Sequence, residues 1–397
     1  MSLMPYGQRW RQHRRALWQH FYPAAIEKYH ATQKQSAHMF LRKLLADPTN
    51  LDDHVRCTVS ATIVKVMYGL DIADKNDQYM VLIEKVLASI VAFTPGRYLL
   101  QFFPILEHVP EWVPGAGFQK ELSGWRATNN DVKETLFAQS VELSDRAESP
   151  QSIVAQLVEK AKEKDMSSVP EELEIAKNVA LGAFEAGSDT MFSTLQAFLL
   201  AMSLYPDIQK KAQAQLDAVV GPHRLPGHED REALPYISAI VKEVLRWHVV
   251  LPFSLPHLTI EDTEYDGYFI PKGTILVANS WACLYDPETY PEPERFDPER
   301  YLHDGELSPH VPDPARFVFG HGRRTCPGRH FADSSLFINA ALILHTFDIT
   351  PPFDKHGKPI VVEYKMTDTL ASYPEDFRCI IKPRSDEARQ LILAAED

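Results

Sequence analysis

Residues 317–332 read FVFGHGRRTCPGRHFA, and this segment restricts what the chain can become more than any other. Gly320 and Gly322 supply backbone that turns tightly and comes close to a flat ligand. Cys326 stands directly before Pro327, a residue favoured in the first turn of a helix. That order predicts a sulfur at a helix N-terminus, where free N–H groups lower a thiol's pKa and favour thiolate. Arg323 and Arg324 are placed to meet carboxylates of a bound group, and Gly328 lets the helix pack against something bulky. A soft thiolate in a glycine-lined loop suits iron in a haem. Taken alone, the segment also fits a buried structural cysteine in a glycine turn. A zinc site from His321, Cys326 and His330 lacks a fourth ligand and regular spacing.

The rest of the chain narrows the setting. With 397 residues, 45% of them hydrophobic, it has ample material for a large core. A net charge of −13 argues against non-specific nucleic-acid binding, which needs a basic face. The basic residues that do cluster lie early, at Arg9, Arg11, Arg14 and Arg15. The four cysteines, Cys57, Cys283, Cys326 and Cys379, form no CxxC pair, which points to a reducing compartment rather than a disulfide scaffold. No stretch is apolar and long enough to span a membrane, and residues 1–10 form neither a signal peptide nor an anchor.

Helical periodicity dominates residues 10–218, broken at Pro48 and Asn50. Helices are predicted over residues 124–144 and 153–162. A long apolar one opens at Pro170 with Glu171 and Glu172 in its first turn and runs to about Leu204. Another starts at Pro206-Asp207, and a further one covers 235–247. Short strands are predicted at 258–260, 268–270 and 274–278, with Asp266-Gly267 as one turn. A second long helix starts near Pro327, and the tail from Asp348 reads as strands and turns. The pattern lacks βαβ alternation, so the expected class is α+β, mainly α. It is read as a single domain over 1–397, helix-rich in 1–250 and mixed in 251–397.

Three further patterns carry chemistry. Residues 186–190 read Ala-Gly-Ser-Asp-Thr inside the apolar helix, where a mid-helix glycine costs about 1 kcal/mol relative to alanine. The helix can loosen there, and Asp189 and Thr190 offer an acid and a hydroxyl for proton delivery. The alternative is a threonine bonded back to its own helix with Asp189 exposed. Glu243 and Arg246 sit three residues apart on one helix face, a spacing that Glu292 and Arg295 repeat in a loop. The stretch 94–118 is rich in Pro, Gly and aromatic residues, and its Tyr98, Phe102, Phe103 and Trp112 suit an interface or a buried loop.

Phe319, Gly322, Arg324, Cys326 and Gly328 match the haem-binding signature of the cytochrome P450 family at every fixed position. The chain resembles that family over nearly its whole length, most closely its fungal microsomal members. The resemblance implies a P450 fold in which Cys326 is the proximal iron ligand of haem b. Arg324 then pairs with a haem propionate, Phe319 packs near the sulfur, and Gly322 and Gly328 flank the cofactor. Trp10 and Arg14 match the family's Trp-x-x-x-Arg helix, and His257 falls where another propionate contact is expected. Glu243 and Arg246 match its Glu-x-x-Arg pair. Arg300, in Pro298-Glu299-Arg300-Tyr301, would join them in a structural ion network. Asp189 and Thr190 take the catalytic acid and hydroxyl positions, followed by Met191 where the family often has Thr or Ser.

Pocket walls are expected at Phe184, Ala186, Val250, Leu251, Phe253 and Leu370. The implied activity is insertion of one atom of O2 into a small hydrophobic substrate in fungal secondary metabolism. Electrons would come from NADPH through a partner reductase, since the chain has no nucleotide-binding glycine motif of its own. The alternatives are a non-catalytic remnant unable to hold haem, or a haem-thiolate isomerase or dehydratase, against which the acid–Thr pair argues. Residues 94–118 resemble the channel roof that touches the membrane, and the implied location is the endoplasmic reticulum membrane. The chain opens at the Trp-x-x-x-Arg helix, so the anchor and first strands of eukaryotic members are expected to be missing from it.

Overall fold

The computed structural model describes residues 1, 3–74, 76–89, 96–146, 151–360 and 362–395. Helices lead: α1 (Gln8–Phe21), α2 (His30–Ala46), α3 (Leu51–Tyr68), α4 (Gln78–Ser89), α5 (Gly117–Asp145), α6 (Ile153–Lys162), α7 (Val169–Leu204), α8 (Pro206–Val219) and α9 (Pro235–Trp247). Local chemistry sets their limits. Asp47 accepts from Thr49 and Asn50 between α2 and α3, and Gly69 ends α3 in the left-handed region at φ 75. Ser152 caps α6 by accepting from the Ala155 N–H. Helix α5 starts at Gly117, seven residues before the predicted start. The Gln119 amide side chain bonds the Leu106 and Glu107 carbonyls and extends the helix back through Gly124.

Helix α7 is buried along most of its length and packs against α3, α6, α1, α9 and α12. A helix apolar on nearly all sides has to run through the core. Gly187 lets α3 come close: an added Cβ would stand 2.5 Å from Ile63 Cδ1.

The second part is thinner. Strands β1 (His257–Leu258) and β4 (Ile275–Leu276) pair antiparallel, as do β2 (Thr263–Tyr265) and β3 (Tyr268–Ile270). Asp266 and Gly267 both have positive φ in the turn between β2 and β3, as a tight hairpin demands. Then come α10 (Ser280–Leu284), the pair β5 (Leu302–His303) and β6 (Glu306–Leu307), α11 (Ala315–Val318) and α12 (Arg329–Thr346). Strands β7 (Phe347–Thr350) and β8 (Ile380–Pro383) pair, and α13 (Asp386–Ala394) closes the chain. The tail read as strands and turns therefore also holds a helix. Ser385 caps it and Asp386 and Glu387 fill its first turn.

A buried ion cluster ties the two parts together. Glu243 and Arg246 on α9 have fully enclosed side chains (0% exposed), with Nε and Nη2 of the guanidinium each 2.8 Å from a carboxylate oxygen. Arg300 Nε lies 3.2 Å from the same carboxylate, and the Asp297 N–H donates to it at 2.8 Å. Arg246 also donates to the Leu284 and Arg295 carbonyls, and Arg300 to that of Pro291. Replacing Glu243 by Leu strands two guanidinium groups in a dry interior. We expect a loss of roughly 3–5 kcal/mol in urea denaturation, and a loss under about 1 kcal/mol would mean the cluster is no better than a surface pair.

Candidate active site

Helix α11 delivers the chain to Phe319, and Gly320 and Gly322 then turn it with φ 73 and 58, values that suit glycine. The Cys326 N–H donates back to the Phe319 carbonyl at 2.7 Å, and Thr325 Oγ1 to that of Gly322 at 2.8 Å. The result is a closed loop with Cys326 half-buried at its end. Helix α12 begins at Arg329 rather than Pro327, so the sulfur sits before the helix and not in its first turn. The expected lowering of the thiol pKa does not prevail: burial pushes the Cys326 thiol up. The Gly328 N–H and the Arg14 and Arg329 charges pull the other way.

Helix α1 lies beside this loop. Arg14 Nη2 donates to the Thr325 carbonyl at 2.6 Å. Arg324 Nη2 donates to the Met4 carbonyl at 2.8 Å, and its guanidinium lies 4.7 Å from the centre of the buried Trp10 ring. Two guanidinium groups, a thiol and a glycine turn thus converge within one loop and the helix against it. That donor set fits a haem: a soft ligand for iron, cations for its propionates, and room at Gly328, where an added Cβ would touch Cys326 Sγ at 3.9 Å. Phe319 is half-buried against the main core. His257 is exposed on β1, and among the described residues no contact joins it to Arg14 or Arg324.

Helix α7 is continuous through residues 186–190, with no loosened turn. Thr190 Oγ1 donates to the Ala186 carbonyl at 2.7 Å, the back-bond that a mid-helix threonine favours. Asp189 is buried, not exposed. Tyr373 Oη donates to it at 2.6 Å, and Arg56 stands 3.8 Å away while stacking on the Phe192 ring. Burial and the Asp189 carboxylate both push the Tyr373 hydroxyl up.

The open stripe of this helix runs through Gly182, Glu185, Ala186 and Thr190, while Phe184 is enclosed in the core. Phe184 therefore faces away from the stripe, and Glu185 stands on it. Sequence reasoning passed over Glu185. Its signal was a charge inside the apolar run 179–204, where Asp189 is the only other one. Val250, Leu251 and Leu370 are half-buried, and Phe253 is 59% exposed.

The loop bearing Tyr373 is pinned to the helices. Buried His248 pairs with Ser193 Oγ at 2.7 Å and with Tyr364 Oη at 3.0 Å. Ser193 Oγ donates to the Ser372 carbonyl, and the Ser372 N–H to the Val250 carbonyl.

Comparison with known proteins places the chain. The family model for cytochrome P450 matches residues 2–367. Cytochrome P450 monooxygenase COX2 of Coprinopsis cinerea is 42% identical, covering 99% of this chain and 75% of that protein. Cytochrome P450 monooxygenase ple1 of Rhodocybe pseudopiperita is 39% identical, with 99% and 75% covered. Tryptamine 4-monooxygenase of Psilocybe cyanescens is 35% identical, with 98% and 76% covered. A zebra fish cytochrome P450 structure with abiraterone superposes with a TM-score of 0.74 at 22% identity, covering 97% of this chain and 84% of that one.

His248 generates a pH prediction. Burial lowers its pKa from 6.5 to about 4, so the folded state holds it neutral. Its contribution to stability is complete above the unfolded value and is lost as pH falls from 6.5 through about 4. Urea midpoints should fall across that window, and His248→Gln should flatten the fall. An unchanged slope in the variant would remove His248 as its source.

Proposed function

The chain belongs to the cytochrome P450 family and is a haem-thiolate monooxygenase, and from that premise we propose that it inserts one oxygen atom from O2 into a small hydrophobic substrate. Its electrons come from NADPH through a partner reductase, and its setting is fungal secondary metabolism. The observation that carries this reading is the convergence of Cys326, Arg14 and Arg324 on one closed loop beside α1. Haem b, whose iron the Cys326 sulfur would hold, would supply the oxygen-activating chemistry.

The chain's own residues supply position, proton and pocket. Arg14 and Arg324, which donate to the Thr325 and Met4 carbonyls, would hold the propionates, with Trp10 against Arg324. Gly322 and Gly328 leave the face of the loop clear, and Phe319 shields the sulfur. His257 is the outlying member of this set. Asp189 accepts from Tyr373 Oη, and Thr190 would pass a proton along this side of α7 once its hydroxyl leaves the Ala186 carbonyl. Ala186, Val250, Leu251, Phe253 and Leu370 bound the substrate. The Glu243–Arg246–Arg300 cluster has a structural role, holding the approach to the loop.

Arg11 and Arg15 are exposed on α1 and offer a basic surface to the acidic face of a reductase. The relative named for tryptamine suggests an indole-sized substrate. No helix among the described residues is long and apolar enough to cross a membrane. Contact with the endoplasmic reticulum surface falls to residues 96–118, where Leu99, Phe102, Phe103, Ile105 and Trp112 are exposed. Tyr98 is buried there, and Thr94 and Pro95 lie outside the described residues.

Reduced, haem-loaded protein should give the carbon monoxide spectrum of a thiolate-ligated haem, and Cys326→Ser should abolish it. Persistence of the band in the variant would assign the ligand elsewhere. Thr190→Ala should raise the NADPH consumed per product by roughly tenfold or more, the scale of a lost proton-transfer group. Unchanged coupling would remove Thr190 from the relay.

A further inference from the structure

Lys43 and Cys57 have no part in the mechanism above. Lys43 stands in the last turn of α2, and Cys57 lies on α3, enclosed in the core at 2% exposed. Lys43 Nζ donates to Cys57 Sγ at 2.8 Å. That is closer than the distance of about 2.9–3.0 Å that an N–H donor usually keeps from oxygen, although sulfur is the larger atom. Lys43 Nζ also donates to the Ala73 carbonyl at 2.9 Å, which fixes the direction of the amine. Among the described residues no carboxylate pairs with Lys43, and no other thiol has a lysine nitrogen against it.

The contact therefore sets a nucleophilic nitrogen against an oxidisable sulfur with no acid between them. Oxidation takes a thiol first to a sulfenic acid, which reacts on with a neighbouring thiol or nitrogen. Here the only such neighbour among the described residues is Lys43. Access is one-sided. Cys57 is closed off by the core, whereas Lys43 is half-buried and its bond to Ala73 is open to water. A small oxidant reaches the sulfur along Lys43. Hydrogen peroxide is small enough, and a monooxygenase forms it when oxygen is reduced without oxidation of a substrate.

We propose that hydrogen peroxide joins Lys43 and Cys57 covalently through one bridging oxygen, Nζ–O–Sγ, and that thiol reductants reverse the link. The first peroxide oxidises the thiol to a sulfenic acid and releases one water. The new oxygen lies between Sγ and Nζ, whose 2.8 Å separation suits the ends of a bent two-bond bridge. The second peroxide takes up the hydroxyl hydrogen and one hydrogen of the neutral amine as the N–O bond forms, and it leaves as two waters. In sum, one thiol, one amine and two peroxides give the link and three waters. Sulfur and nitrogen each lose two electrons, and the four electrons reduce the two peroxides. Two dithiols return four electrons and four hydrogens, which restore the thiol and the amine and release water. The link ties α2 to α3 between residues 14 apart in sequence. It thereby braces the helix that sets Arg56 beside Asp189 and Ile63 against Gly187.

The test is mass spectrometry of tryptic peptides from the haem-loaded protein after hydrogen peroxide and alkylation of the remaining thiols. Trypsin should release segment 43–56 joined to segment 57–65, since Arg42, Arg56 and Lys65 are cut and the altered Lys43 is not. The joined pair should be heavier than its two parts by one oxygen less two hydrogens, and dithiothreitol should separate it. Lys43→Arg should lose the pair and leave Cys57 as a sulfenic acid, labelled by dimedone several-fold more than in the unaltered protein. Cys57→Ser should lose both the pair and the label. The oxidised, unaltered protein should show a higher urea midpoint than the reduced one, because a cross-link restricts the unfolded chain. That rise should be absent in Lys43→Arg.

Cys57 left as a free thiol under peroxide that oxidises the exposed Cys283 would overturn the proposal. So would a Cys57 found only as sulfenic or sulfinic acid, a link from Cys57 to another lysine, or a joined pair that lacks the bridging oxygen. The joined peptides of the unaltered protein and their separation by dithiothreitol decide the matter even where a variant fails to fold.

Discussion

The carboxylate of Glu243, held between two guanidinium groups out of contact with water, is the interaction on which the second part of the molecule rests. Taking such charges out of water costs several kcal/mol per ion, and only complete pairing offsets it. Here the pairing reaches into the backbone. Arg246 and Arg300 hold the carbonyls of Leu284, Pro291 and Arg295, and Trp247 Nε1 donates to that of Glu294. The segment with little regular structure between α10 and β5 is thereby fastened to α9. Tyr290 Oη then reaches the Pro312 carbonyl and Ser280 Oγ that of Phe317, which brings the same scaffold up to the Cys326 loop. The loop is thereby linked through backbone contacts to the Glu243 ion cluster.

Burial dominates the electrostatics of the site. It raises both the Cys326 thiol and the Glu185 carboxyl. Neighbouring charges oppose this without winning. The guanidinium groups of Arg14 and Arg324 donate to the Thr325 and Met4 carbonyls beside the same loop.

Much of this was legible in the residues. Pro170 with Glu171 and Glu172 marked the start of α7 correctly to within a residue, because proline and first-turn acids act locally. Asp266-Gly267 marked the β2–β3 turn for the same kind of reason. The start of α5 and the presence of α13 were not read, although Ser385-Asp386-Glu387 carries a capping signal. Helix α5 is extended by Gln119 bonding to carbonyls more than ten residues away, which no local pattern reports. The spacing of Glu243 and Arg246 was no better than that of Glu292 and Arg295. One pair is enclosed and the other exposed, and only packing separates them.

The sequence by itself determined the family, the tight glycine turns before Cys326 and the helical majority, since these follow from residue type and short spacing. Tertiary structure decided what those residues meet. It turned Asp189 toward Tyr373 and Arg56, sent Phe184 into the core, and left Glu185 on the open stripe. It also reversed the expected shift at Cys326, because a thiol's pKa depends on how far it is withdrawn from water as well as on its nearest helix. Spacing along a chain sets which face a side chain takes on its own element. Which neighbour covers that face, and so whether a charge is partnered or bare, is set by contacts between residues far apart in sequence.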